Sequence, residues 1–329
     1  MKKFFKQQFQ NLKWSLERLF SAKKRKERRI LLSVRKNRRD LSRGLSGTKI
    51  GGERIEEILT DTCMHYRRYF ILKASGGERE ICEPLKELRR IQKASLRVVK
   101  APEVSKFCTA YEKGASVKLN AERHKKAKHI LHIDIKDFFP SINKAVFMKT
   151  YRQFMCYNCR GESCVSCVNK LWKIVSLGGG LPIGACTSPF IANRIMAETD
   201  ESLAKLDKQI IYTRYADDMI FSSQKPIDKS FINRIEAIIN AAGFAINHKK
   251  TYFMKSRKQV TGILINDGKL SIGTSYKKRL KQDIYNYLTK GFGKPQEIKG
   301  RLAWLAFVEP DYAKVIKNKY KSIDKIELQ

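Results

Sequence analysis

The chain has 329 residues, enough to bury a large core or several subdomains, and 42% of them are apolar, as in a folded protein. Its 68 Lys and Arg stand against 32 Asp and Glu, giving a net charge of +36 and a pI near 10.0. That excess repels itself in a compact state and calls for a polyanion, which excludes an ordinary neutral-surface protein. Packing proteins of ribosomes or chromatin, and membrane-surface proteins, share such charge. No apolar run reaches about 18 residues, so no transmembrane helix is expected. The first residues lack the continuous apolar core of a signal peptide.

Charge is densest at the start. Residues 1–43 hold sixteen Lys and Arg against Glu17, Glu27 and Asp40. Phe5, Phe9, Leu12, Leu16, Leu19 and Phe20 recur at helical spacing. This predicts a basic amphipathic helix for RNA-backbone contact, for packing on the body, or for a membrane surface. Arg43 to Gly52 reads as a glycine-rich loop. Tyr69–Lys73 and Glu78–Cys82 flank Gly76-Gly77 and predict a β-hairpin. A basic helix is expected from Pro84 to about Lys100, and helices over 140–177 with a cysteine-rich interruption. Residues 181–200 read as a loop entering a helix near Pro189. Residues 228–242 pattern as an amphipathic helix through Phe231, Ile232, Ile235, Ile238 and Ile239. Strands are expected at Lys250–Phe253 and Gln259–Ile265, then basic helices beyond Gly273. The order fits an α+β fold rather than strict βαβ alternation.

Three carboxylates carry the first chemical signal. Tyr215-Ala216-Asp217-Asp218 lies between two β-prone runs, and His129–Asp134 reads as a buried strand ending in Asp134. Adjacent like charges repel, and Asp is a poor strand former. A divalent cation would neutralise them: Mg²⁺ takes carboxylate oxygens and shares its remaining positions with substrate phosphates. The set suits a two-metal phosphoryl-transfer site, and a solvated Asp-Asp turn is the plain alternative. The second signal is Cys156, Cys159, Cys164 and Cys167, a C-x₂-C-x₄-C-x₂-C array within 154–169. Four thiolates suit tetrahedral Zn²⁺ in a structural knuckle. An iron–sulfur cluster and free cysteines are the alternatives. Cys63, Cys82 and Cys108 lack partner spacing and are expected in the core.

The Asp134 segment resembles motif A of reverse transcriptases, and Tyr215–Asp218 resembles their motif C. Leu181-Pro182-Ile183-Gly184-Ala185-Cys186-Thr187-Ser188-Pro189 resembles motif B, with Ile183 and Cys186 where the family has Gln and Pro. Gly243–Thr251, with Asn247, Lys249 and Lys250, resembles motif D. Asn120-Ala121-Glu122-Arg123-His124 is similar to the Asn-Ala-x-x-His signature of retron reverse transcriptases, and Val260-Thr261-Gly262 to their Val-Thr-Gly signature. The resemblance runs from about residue 60 to about 320.

The resemblance implies a bacterial, cytoplasmic RNA-directed DNA polymerase of right-hand shape. Residues 1–60 would be a basic helical extension, 61–128 fingers, 129–266 palm and 267–329 a helical thumb. Two Mg²⁺ ions would sit on Asp134, Asp217, Asp218 and the Ile135 carbonyl. Lys250 would act as general acid, with Lys249 its rival. Lys73 and Arg79 would grip the triphosphate. Phe139 would exclude a ribose 2′-OH, while Ile183 and Gly184 would border the nucleotide. Tyr215 would lie near the primer end, and Gly262 in the primer-grip turn. Asn120, His124, Lys277, Lys278, Arg279 and Trp304 would contact RNA, a capping or core role being the alternative for Asn120 and His124. The implied partners are dNTPs, a cognate structured non-coding RNA, its branched RNA–DNA product and an effector protein encoded nearby. A non-retron defence-associated or group II intron-like enzyme is the nearest alternative. An RNA-binding scaffold of low polymerase activity, supported by Ile183, is another.

Overall fold

The computed structural model describes residues 45, 47–73, 76–98, 102–155 and 163–320. The expected N-terminal basic helix, Cys156 and Cys159 lie outside the described residues. The chain divides into two compact units, Met1–Pro102 with Phe147–Thr187, and Glu103–Val146 with Ser188–Gln329.

In the first unit the glycine-rich loop ends at Gly51, one residue early, because Gly52–Thr60 is a helix that buries Ile55, Ile58 and Leu59. Strands β1 (Tyr66–Leu72) and β2 (Glu78–Pro84) form the expected hairpin, with Leu72 opposite Glu78. Gly76 and Gly77 take φ of 83° and 77° in its turn, where a Cβ would be strained. The helix Lys86–Val98 follows, buried through Leu88 and Ile91. Its Gln92 amide donates to the Tyr66 hydroxyl at 2.8 Å and to the Ile174 carbonyl at 3.1 Å. Ile174 belongs to the helix Ser163–Val175, so one buried amide joins three elements. Cys82 is buried as expected. Cys63 is exposed, because the 3₁₀ turn Thr62–His65 buries none of its residues.

In the second unit four antiparallel strands take the order β4-β5-β3-β6: β3 is His129–Asp134, β4 Ile211–Tyr215, β5 Asp218–Ser223 and β6 Tyr252–Met254. The two central strands are apolar through their middles. Ile130, Leu131, Ile133, Met219, Ile220 and Phe221 are at most 1% exposed. Phe107 and Thr109 bond to Arg214 along the outer side of β4 and cover that edge. Helices Ser188–Ile195, Ala197–Ala204 and Ser230–Ala241 lie where the sequence pattern puts helix, the last burying Phe231, Ile235 and Ile239.

The expected strand Gln259–Ile265 is two strands. β7 (Lys258–Val260) turns at Thr261-Gly262 into β8 (Ile263–Asn266), which turns at Asp267-Gly268 into β9 (Lys269–Ser271). Both residues of each turn have positive φ, the requirement of a tight type I′ hairpin. Helices Thr274–Lys290, Pro295–Val308 and Pro310–Lys319 close around Leu280, Ile284, Ile298, Leu302, Leu305 and Ile316. No described helix is long and apolar enough to cross a membrane.

Arg214 on β4 is 0% exposed, and so is Asp200 on the helix Ala197–Ala204. Nε and Nη2 of Arg214 donate to the two Asp200 oxygens at 2.8 and 2.9 Å, and the Tyr212 hydroxyl donates to Oδ1 at 2.8 Å. Nη1 reaches Asn193 Oδ1 at 3.3 Å and the carbonyl of Ala216 at 3.0 Å. Every strong group is thus satisfied, which is the condition for burying an ion pair. Asp200→Ala strands the guanidinium. It is expected to cost about 3–5 kcal/mol of stability in urea unfolding. A loss under about 1 kcal/mol would contradict this network.

Candidate active site

The register of the central strands sets the site. β3 runs antiparallel to β5 with Asp134 opposite Asp218. The hairpin β4–β5 turns through Ala216 and Asp217, since Tyr215 pairs with Asp218. Ala216 has φ 58° and Asp217 does not have positive φ, the sign pattern of a type II′ turn. Ala in that conformation costs about 1–2 kcal/mol. Ala216 is held there by 95% burial and by the Arg214 bond to its carbonyl. The Ile135 amide donates to the Asp217 carbonyl at 3.0 Å, extending the ladder past the strand end. Asp134, Asp217 and Asp218 therefore leave one end of the central strand pair together. A one-residue slip would turn them to opposite faces.

Two of the three carboxylates already have polar partners. Asp134, 4% exposed, accepts from Asn247 Nδ2 at 3.0 Å and from Lys250 Nζ at 3.0 Å. Asp218 Oδ1 lies 2.8 Å from His132 Nε2, and the other ring nitrogen lies 2.9 Å from the Lys250 carbonyl. Both partners of His132 accept, so the ring donates from both nitrogens and is cationic. Burial pulls its pKa down, but the bond to Asp218 and that residue's charge outweigh burial and leave it raised. The ring also stacks on Tyr252 at 4.9 Å. Burial, then the charge of Asp218, pushes the Asp217 carboxyl above the usual carboxylate range. The hydrogen bond it donates to Asp134 holds the Lys250 ammonium above its ordinary value.

With Lys250 and His132 on the carboxylates, the described residues form no ready cluster of three or more metal-binding side chains. The donor set nevertheless fits a hard cation: three carboxylates from one strand end, one of them crowded by charge. Divalent ions would take the oxygens that Lys250 and His132 now occupy.

Other expected residues sit as follows. Lys73 and Arg79 are exposed beside the β1–β2 turn. Phe138 is the core aromatic, 4% exposed, and Phe139 is half-buried against it at 5.3 Å. Tyr215 is half-buried with its ring 6.2 Å from Tyr111. The Ile183 carbonyl accepts from the Cys82 amide at 2.7 Å, pinning the motif B loop to β2. Gly184 has φ 107°, and a Cβ there would come within 2.8 Å of Ile81 and 3.0 Å of the Cys82 carbonyl, so only glycine fits. Cys164 and Cys167 fall in the first turns of the helix Ser163–Val175.

The model of the family "Reverse transcriptase (RNA-dependent DNA polymerase)" matches residues 71–288. The chain is 32% identical to the retron Ec86 reverse transcriptase of Escherichia coli over 290 residues, 85% of this chain and 86% of that protein. It is 29% identical to the retron Mx162 reverse transcriptase of Myxococcus xanthus, covering 76% of this chain and 59% of that protein. It is 27% identical to the retron Ec83 reverse transcriptase of E. coli, over 78% of this chain and 87% of that protein. The chain belongs to the retron reverse transcriptases.

In this reverse transcriptase the two retron signatures meet inside the second unit. Asn120 and His124, expected to contact RNA, are each 0% exposed on the helix Val117–His124 and are corrected to internal residues. The Thr213 hydroxyl donates to Asn120 Oδ1, so His124 Nε2 must be the donor to Thr213 Oγ1 at 2.6 Å. His124 Nδ1 then accepts from the Ser222 hydroxyl at 2.7 Å, which fixes a neutral tautomer. Asn120 Nδ2 reaches Thr261 Oγ1 at 3.5 Å, and that hydroxyl donates to the Val117 carbonyl at 3.1 Å. The first signature thus ties both strands of the Asp217–Asp218 hairpin to the Val-Thr-Gly turn. Lys277 is likewise taken, by Glu309 at 2.6 Å, and Trp304 packs on the core under β7–β9. Lys278 and Arg279 are exposed.

His132, Arg214, Asp200 and Asn193 escaped the sequence reading. His132 had a signal, since it precedes Asp134 by two and shares its strand face.

Burial lowers the His124 pKa from 6.5 to about 3. The unfolded chain therefore holds the extra proton between those values. Stability rises with pH through that window and is lost toward acid. His124→Gln is expected to flatten the acid limb of the stability–pH curve by about 1.4 kcal/mol per pH unit. Urea unfolding from pH 6.5 downward checks this, and equal slopes would contradict it.

Proposed function

We propose that this RNA-directed DNA polymerase copies its own structured non-coding RNA into a branched RNA–DNA product, priming from a 2′-hydroxyl of that RNA. The observation that carries the reading is the register: Asp134 faces Asp218 across β3–β5, with Asp217 at the adjoining turn. Asp134 and Asp217 would hold the ions foremost, with Asp218 and the Ile135 carbonyl completing the set. Bound Mg²⁺ would lower the cost of forming the attacking alkoxide and neutralise charge on the triphosphate.

The chain's own groups position and neutralise. When Asp134 turns to a cation, the Lys250 ammonium is released. It is half-exposed and protonated, so it can deliver a proton to the departing pyrophosphate. Lys249, the rival, is exposed. Lys73 and Arg79 would clamp the triphosphate, the guanidinium bidentately. Gly184 would let the motif B backbone approach the nucleotide, and Ile183 would meet it with an apolar surface in place of an amide. Tyr215 would flank the primer end. Residues 61–128 would serve as fingers, 129–266 as palm and 267–329 as thumb, with Lys278 and Arg279 on nucleic-acid backbone. A defence role with a separately encoded effector belongs to the same reading.

Phe139 stands four residues after the buried Ile135 and would bar a 2′-hydroxyl. Phe139→Ala is expected to raise ribonucleotide use relative to deoxynucleotides by about tenfold or more. Single-nucleotide incorporation measures this, and unchanged sugar selectivity would remove the assignment.

The branched-product reading is tested by sequencing nucleic acid that co-purifies with the protein, expressed with its native flanking DNA, before and after debranching enzyme. The expected result is a short DNA joined 2′–5′ to a small RNA, absent from a folded Asp217→Ala/Asp218→Ala variant. Bound RNA carrying no DNA would overturn it.

A further inference from the structure

The helix Lys86–Val98 has two faces of opposite character. Leu88, Ile91, Gln92 and Ser95 are buried, and Gln92 is bonded to Tyr66 and Ile174. Lys86, Arg90, Lys93 and Arg97 are all exposed. Their spacing of four, three and four residues puts them on one line, about 16 Å long at 1.5 Å per residue.

The acids nearby are spent. Glu87 accepts from Arg54 at 2.8 Å, and Glu83 is shared by Arg67 and Arg89. The line borders a cleft of about 290 Å³ whose walls include Arg67, Arg89, Lys86, Arg90 and Lys93, with exposed Leu85 among them. No stripe position is aromatic, so there is no ring platform on which successive bases could stack. A straight row of unpaired cations matches the regular charge of a phosphate backbone, the contact that positions a nucleic acid. A-form RNA duplexes are recognised by backbone and shape, because side chains do not reach into their deep groove.

We propose that this stripe and its cleft bind the phosphodiester backbone of a folded RNA duplex, separately from the primer–template that the carboxylates act on. The duplex would be a stem of the enzyme's own RNA, so the inference rests on that reading for its natural ligand and on charge geometry for the site.

The test uses full-length protein and a blunt-ended RNA duplex, which has no recessed 3′ end to extend. Binding is followed by fluorescence anisotropy across a salt series, for wild type and for Lys86→Gln/Arg90→Gln/Lys93→Gln/Arg97→Gln. Each lost phosphate contact removes about 0.7–0.9 from the slope of log affinity against log salt. The variant should lose about 3 in slope and at least about tenfold in affinity. Its turnover on a short DNA-primed RNA template should stay within about twofold, since no stripe residue is in the catalytic set. Arg90→Lys/Arg97→Lys should keep the wild-type slope, because charge alone is required. An unchanged slope in the fourfold variant overturns the proposal. An equal loss of turnover on the short template also overturns it, by assigning the stripe to the template path. Failure of the branched-product reading would appear elsewhere, as RNA without attached DNA, and would leave the duplex-binding result standing.

Discussion

Three carboxylates forced to one end of two paired strands are the constraint around which the second unit is built. The pairing of Asp134 with Asp218, and the turn that places Asp217 beside them, put like charges where strands disfavour them. The protein compensates with Lys250 on Asp134 and His132 on Asp218, joined through the Lys250 carbonyl. These are charges that a divalent cation can replace. In the proposed mechanism the same groups that keep the free chain from repelling itself would be released when the substrate complex forms, and one of them, Lys250, would then have a proton to give.

Rigidity behind the site comes from polar groups that are fully buried and fully paired. Arg214 holds the strained Ala216 from one side, with Asp200 cancelling its charge and Tyr212 and Asn193 completing the bonds. Asn120 and His124 hold Thr213 and Ser222 from the strands on either side of the turn, and link them to Thr261. Such networks are costly if incomplete and specify one arrangement when complete. A turn that would hold metal-binding carboxylates to within a fraction of an ångström needs that kind of support.

The strand end and turn that carry Asp134, Asp217 and Asp218 were legible in the sequence because strand alternation and turn chemistry are local. The β1–β2 hairpin and the helix Ser230–Ala241 were legible for the same reason. The strand expected at Gln259–Ile265 was misread because Thr261 gives no warning of a left-handed φ, although Asp267-Gly268 did carry a hairpin signal for β9. Arg214 went unread because nothing local to its strand points to Asp200, fourteen residues earlier on a helix. Asn120 and His124 could be recognised as a signature without their burial being visible, since their partners lie 89 to 141 residues away. Lys277 and Trp304 looked like a nucleic-acid surface for the same reason: basic and aromatic residues on a helix read alike whether they face solvent or a core.

The central claim is that Asp134 gives up Lys250, and Asp218 gives up His132, for divalent metal shared with Asp217 when a nucleotide binds. The direct measurement is formation of a ternary complex on a chain-terminated primer–template with the next dNTP, where no chemistry can follow. The account predicts a stable complex with Mg²⁺ that dissociates on chelation, and none at comparable nucleotide concentration in Asp134→Asn. A complex of equal stability in the presence of chelator, or one unaffected by loss of the Asp134 charge, would contradict it.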